Sequence, residues 1–108
     1  MVLITTTGAR SGQPRTVFVL GLPLFDGFAV IASNFGQRRQ PGWYYNLRAN
    51  PEGSVSVEGQ SCRFRAVKAE GDRRRRIWED GLRVYPGWSE YERRASHRRI
   101  AVFLLEPV

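Results

Sequence analysis

Short apolar runs with turn residues set tightly between them leave this chain few folding options other than zipping into antiparallel hairpins. Residues 2–7 are apolar and β-branched, residues 16–24 carry Val17, Phe18, Val19, Leu20 and Leu22, and residues 28–34 run apolar into Ser33 and Asn34. Runs of this length and make-up read as strands. Phe25-Asp26-Gly27-Phe28 supplies the Asp-Gly signal of a tight hairpin, so the second and third runs are expected to pair antiparallel. A further hairpin is expected from residues 54–58, the turn Glu58-Gly59-Gln60 and residues 61–70. Period two puts Cys62, Phe64, Ala66 and Lys68 of that hairpin on one face, and makes Cys62 a small packing residue rather than a nucleophile. Residues 100–105 form a continuous apolar run suited to a central closing strand.

Helices are few and short. Pro41 fits a first turn and Asn50-Pro51 a stop, which bounds a helix over residues 41–49 with Trp43, Tyr44 and Leu47 on its packing face. Gly71-Asp72 opens a second helix in which Trp78, Leu82 and Tyr85 line one side while the run Arg73 to Arg76 faces water, and Pro86-Gly87 breaks it. A third helix is expected over residues 88–96. Six strands joined mostly by hairpins point to a mainly β protein, a small antiparallel barrel that solves the edge problem by closure. At 108 residues the chain is expected to be one domain, 1–108, with a single modest core. Its longest apolar run is too short for a bilayer, and Met1 leads directly into a strand pattern without a basic leader, so a cytoplasmic location is expected. The single cysteine fits a reducing compartment.

Between the first two runs lies Thr5-Thr6-Thr7-Gly8-Ala9-Arg10-Ser11-Gly12-Gln13-Pro14-Arg15-Thr16. Positive φ at Gly8 and Gly12 would turn the amides of this stretch toward one point, as in an anion-binding nest. Arg10 and Arg15 flank that point, and Thr7, Ser11 and Gln13 add neutral donors. The same letters also suit an ordinary solvated hairpin loop. Sixteen of the seventeen basic residues are arginine, and the formal charge of +7 implies an anionic partner: nucleic acid, an acidic membrane surface, or a small ligand with phosphates and carboxylates. Four of those charges sit in the run Arg73 to Arg76, and overall charge does not choose among these partners.

One histidine, His97, and one cysteine exclude a metal site of the usual ligand types within the chain. A triad drawn from His97, Ser96 and Asp72 or Asp80 has no nucleophile-elbow motif behind it. Neither the Rossmann nor the P-loop glycine pattern is present. If the chain is an enzyme, a bound organic cofactor carries the reaction. What remains is an anion turn, a small-residue strand end, a Trp-Tyr helix and a late aromatic cluster, Tyr85, Trp88 and Tyr91. Singly, each suits packing; together they describe a cleft for a phosphate tail and a planar ring.

Three ordered motifs, residues 4–15, then Ala32-Ser33-Asn34-Phe35-Gly36, then residues 41–51, resemble the signature of the deazaflavin-dependent nitroreductase family, found chiefly in mycobacteria and other actinobacteria. The resemblance implies a split β-barrel of the flavin-reductase or FMN-binding type and the deazaflavin coenzyme F-420, whose tail carries a phosphate and an oligoglutamate. By motif position it implies that Arg10, Ser11, Gln13 and Arg15 hold the phosphate and the start of the tail. It places Ala32, Ser33 and Asn34 against the deazaflavin ring, with Trp43 and Asn46 shaping the same cleft. Tyr85, Trp88 and Tyr91 correspond to the substrate region, with Tyr85 or Tyr91 as catalytic contact or proton donor. The implied reaction is hydride transfer from the reduced coenzyme to a small enone, quinone or nitro compound. Two departures stand out: Arg10 is followed directly by Ser11 where members often have lysine, and the family's N-terminal helical segment is absent before Val2. The alternatives are a binding protein of the same fold for FMN, haem or the deazaflavin coenzyme without turnover, and a nucleic-acid module resting on the charge and the aromatics of residues 73–94, for which no recognised motif is found. The expected partners are thus an anionic coenzyme and a small molecule, with no nucleic acid and no transmembrane segment. Peripheral membrane contact and a homodimer remain open.

Overall fold

The computed structural model describes residues 2–24, 27–33, 39–95 and 98–108. Phe25 and Asp26 of the expected turn, the site candidate Asn34 with Phe35 and Gly36, and Ser96 and His97 lie outside them. The described elements are β1 (Val2–Thr7), β2 (Pro14–Val19), β3 (Gly21–Leu24), β4 (Gly27–Ile31), α1 (Gly42–Ala49), β5 (Glu52–Val57), β6 (Gln60–Lys68), α2 (Gly71–Val84), α3 (Trp88–Arg94) and β7 (Val102–Pro107). All strand pairs are antiparallel, in one sheet of order β2-β1-β5-β6-β7-β4-β3. The two outermost strands, β2 and β3, are halves of one chain run interrupted only at Leu20. The expected second strand over residues 16–24 is therefore two strands, and the six expected strands become seven among the described residues. A split barrel results, curled so far that its two edges are covalently continuous.

Alternation along the strands builds two cores. On β7, Phe103 and Leu105 point into the barrel with Ile4, Val30, Val55 and Phe64. Val102 and Leu104 point outward, against Ile77, Trp78 and Trp88 of α2 and α3. Both faces of β7 are thus buried, which is why its sequence is apolar without alternation. On α1, Trp43 and Leu47 are buried and Tyr44 packs beside them at the barrel end, with Trp43 and Tyr44 each edge-on to Phe103. Trp88 is 0% exposed, tilted against Trp78 and stacked on Tyr85. Gly81 makes this possible, since a Cβ there would overlap the Trp88 ring.

Three expectations are corrected. Cys62 shares a strand face with Phe64 but is exposed, because that face is uncovered near the β5–β6 turn. Arg74 departs from the solvated run 73–76: its guanidinium lies over the Trp78 ring and donates to the Ile100 carbonyl at 2.6 Å. Burial first, and then the nearby Arg99, pull its pKa below the ordinary arginine value, against the opposing pull of Glu92 and Glu70. Pro41 is the residue before α1 rather than its first turn, in extended conformation.

Candidate functional site

The Gly8–Gln13 stretch closes the β1–β2 hairpin, whose last register pair is Thr7 with Pro14. Gly8 N donates to Gln13 O at 2.8 Å and Gly12 N to Gly8 O at 2.9 Å. Gln13 N donates to Ser11 Oγ at 3.1 Å. Gly12 takes the left-handed conformation at φ +69°, whereas at Gly8 a Cβ would crowd Ser11 Oγ and the Gln13 carbonyl. These bonds correct the nest expectation: the amides of Gly8, Ala9, Gly12 and Gln13 are all spent inside the protein. Arg10 and Ser11 keep amides without a partner among the described residues. Because Ser11 Oγ accepts from Gln13, its own O–H is left to donate.

Asn46 on α1 locks this turn to the barrel. Its Oδ1 accepts from Ala9 N at 2.9 Å and its Nδ2 donates to Thr6 Oγ1 at 3.1 Å. Thr6, the inward-facing end of β1, is only 2% exposed. A primary amide is suited to this place because it accepts through one end and donates through the other.

Between the turn, β2, the end of β4 and α1 lies a cleft of about 1260 Å3. Its lining includes Arg10 from the turn, Arg15 from β2, Arg39 ahead of α1 and Arg48 on α1, and no described acidic side chain. Arginine charges gathered along one cleft attract anions, and the low-dielectric wall around them concentrates that field. The wall comes from Val17, Phe18 and Val19 of β2, Ile31 of β4 and Trp43 of α1, with Tyr91 of α3 and the exposed Tyr45 adding aromatic surface. Sites for drug-sized ligands occupy about 300–1,000 Å3. The space here exceeds that range.

The residues expected at the site separate clearly. Arg10, Ser11, Arg15, Ser33, Trp43, Asn46 and Tyr91 all border the cleft. Gln13 is exposed on the turn, outside the lining, with its backbone occupied by Gly8 and Ser11. Ala32 is fully buried and its N–H donates to Ala101 O. Tyr85 and Trp88 are also outside the lining: Tyr85 donates its hydroxyl to Gly21 O at 3.2 Å, and Trp88 is interior packing. Sequence reasoning missed Arg39, Arg48, Tyr45 and Phe18 as lining residues and Thr6 as a partner of Asn46. Arg48 follows Trp43 and Asn46 on the same short helix, and that proximity was the available signal.

The described residues thus form a split barrel whose cleft is lined by arginines, with no acidic side chain among its described lining residues. Residues 1–107 match the family model described as F420H(2)-dependent quinone reductase. The chain belongs to that family. It is 43% identical over 56 residues to the Mycobacterium tuberculosis F420H(2)-dependent quinone reductase Rv1261c, an alignment covering 52% of this chain and 38% of that protein. The match thus spans about two fifths of that relative's length. Rv3178 of the same organism is 28% identical over 98% of this chain and 88% of its own. Among solved structures, an F420-H2 dependent reductase, FDR-A, superposes with a TM-score of 0.88 at 36% identity, covering 97% of this chain and 92% of its own. A haem-binding protein from Mycobacterium smegmatis reaches a TM-score of 0.71 at 19% identity, over 96% of this chain and 45% of its own, which is a likeness of fold.

Proposed function

We propose that this chain is a deazaflavin-dependent oxidoreductase that binds coenzyme F-420 in the cleft and directs hydride to a small electrophilic acceptor of the quinone, enone or nitro class. The observation that carries this reading is the cleft's four arginines without a described carboxylate, matched to a coenzyme tail of phosphate and oligoglutamate. Arg10 and Arg15 pair with phosphate and carboxylate oxygens, and the unspent amides of Arg10 and Ser11 and the Ser11 hydroxyl complete the anion cradle. Charge-assisted bonds of this kind are about twice as strong as neutral ones. Arg39 and Arg48 extend the positive lining. Ser33 and Trp43 bound the part of the cleft assigned to the ring, and Asn46 acts as a brace for the turn rather than as a direct contact.

The bound coenzyme supplies the hydride when reduced. The chain's own contribution is orientation and exclusion of water, which convert an encounter between two small molecules into a reaction within one complex. Tyr91 borders the cleft and is the residue assigned to the acceptor and, with water, to proton delivery. Tyr85 is not given that role, since it lies outside the cleft lining.

The reading extends to one split-barrel domain within residues 1–108, acting in the cytoplasm. Among the described residues no helix is long and apolar enough to cross a membrane. A homodimer is supported by a related structure described as a domain-swapped dimer, at 36% identity, which covers 97% of this chain. Exposed Phe18 and Tyr45 near the cleft are compatible with peripheral membrane contact.

Titration with oxidised F-420, FMN and haem tests the assignment. Quenching of deazaflavin fluorescence that saturates near one equivalent, and reoxidation of the reduced coenzyme by a quinone only when protein is present, are expected. Preferential binding of FMN or haem overturns it.

A further inference from the structure

Arg98 lies between α3 and β7, 58 to 66 positions from the residues it holds. Its Nη1 donates to Ala32 O and to Gln40 Oε1, each at 2.9 Å. Its Nη2 donates to Ser33 O at 2.7 Å and makes a longer contact, 3.5 Å, with Arg39 O. Ala32 and Ser33 directly follow β4, while Arg39 and Gln40 lead into α1, so one guanidinium grips both ends of the connection between these elements. Ser33, Arg39 and Gln40 border the cleft, and Arg98 does not. The fork therefore works from behind the wall.

A planar guanidinium presents donors along two directions at fixed separation, which an ammonium group cannot do. Burial lowers the Arg98 pKa, with Tyr45 and Tyr44 pulling the other way. An ordinary arginine value lies far above neutral, so the charge persists through the physiological range.

We propose that Arg98 is a positioning residue: it sets the separation of the Ser33 and Gln40 walls and thereby the alignment of the two reactants, touching neither. The catalytic part rests on the deazaflavin reading, while the wall-setting part stands on the hydrogen bonds alone. A misplacement of about 1 Å costs up to roughly a hundredfold in rate.

The test compares the parent with Arg98→Ala and Arg98→Lys, with and without millimolar guanidinium, far below denaturing concentrations. In the coenzyme-free protein, amide exchange at Ser33 and at Arg39 to Trp43 should accelerate in Arg98→Ala and slow again when guanidinium is added. With coenzyme, single-turnover hydride transfer at saturation should fall about tenfold or more, coenzyme Kd should change less than the rate, and guanidinium should restore part of the rate. Arg98→Lys keeps the charge and covers the case in which the alanine variant does not fold; a several-fold rate loss at near-parental Tm is expected. Unchanged exchange at those amides in the folded variants overturns the proposal whichever cofactor binds. So does a rate loss that only tracks lost Tm without guanidinium rescue. If the parent binds no F-420, the functional reading fails, and the exchange measurement still decides the role of Arg98.

Discussion

Replacing Asn46 by alanine removes both hydrogen bonds that tie the Gly8–Gln13 turn to the barrel, and the two broken ends have different fates. The Ala9 amide belongs to an exposed residue and regains a partner from water. The Thr6 hydroxyl is attached to a residue only 2% exposed and is left without the Asn46 amide. Stranding a buried polar group costs about 1–3 kcal/mol, and the re-solvated amide adds little. For a domain of this size that corresponds to a fall in Tm of roughly 5–20 °C. Urea denaturation should show a lower midpoint with an unchanged slope, because the barrel itself stays compact. Thr6→Val isolates the cause: removing both polar partners together leaves nothing stranded, so the double variant should be less destabilised than the sum of the singles by about 0.5–1.5 kcal/mol. Coenzyme affinity should fall as well, since Arg10 and Ser11 would no longer be presented by a fixed turn. A parental urea midpoint for Asn46→Ala, or strict additivity with Thr6→Val, would refute the brace.

Arg10→Ala and Arg15→Ala should each weaken F-420 binding about tenfold, the lower end of the range for a charge-assisted bond because both side chains are exposed, while turnover at saturating coenzyme changes less; fluorescence titration beside steady-state kinetics separates the two. Tyr91→Phe should alter acceptor KM or kcat with coenzyme affinity near that of the parent. Tyr85→Phe should leave both alone and cost about 1 kcal/mol of stability for the lost bond to Gly21, measured by urea denaturation. Gly81→Ala should destabilise by about 1–3 kcal/mol, because the new methyl group meets the Trp88 ring; a Tm equal to the parent's would show that α2 and α3 are packed more loosely than described.

The hairpins and β7 were legible because their signals are local: period two, Asp-Gly and Glu-Gly turns, and an apolar run whose strand is buried on both faces. The break at Leu20 was not read, because its one local mark, Gly21, is a lone glycine inside an apolar run; the strand bends there to reach two different neighbours, β1 and β4. Periodicity placed Cys62 and Phe64 on one face correctly. It cannot say that the barrel covers Phe64 and stops short of Cys62. At the cleft, Arg10 and Arg15 could be read from the turn chemistry, but the fate of its amides depended on Asn46, 37 residues away from Ala9. Trp88 and Tyr91 share a helical spacing, yet the glycine gap at residue 81 draws the first into the core and leaves the second beside the cleft. The grip of Arg98 spans the chain and has no sequence signature.

β2 has one hydrogen-bonded neighbour, β1, and its first five residues are exposed. Val17 and Phe18 nevertheless border the cleft at 39% and 63% exposure. Substitutions at such positions usually alter stability by no more than about 0.5 kcal/mol. At Val17 and Phe18 what faces a visitor is thus separate from what keeps the barrel folded: mutation can rework this part of the wall, and with it the repertoire of accepted molecules, while the interior that holds α1 and β7 together stays unchanged. A fold built this way can diversify its chemistry at the periphery.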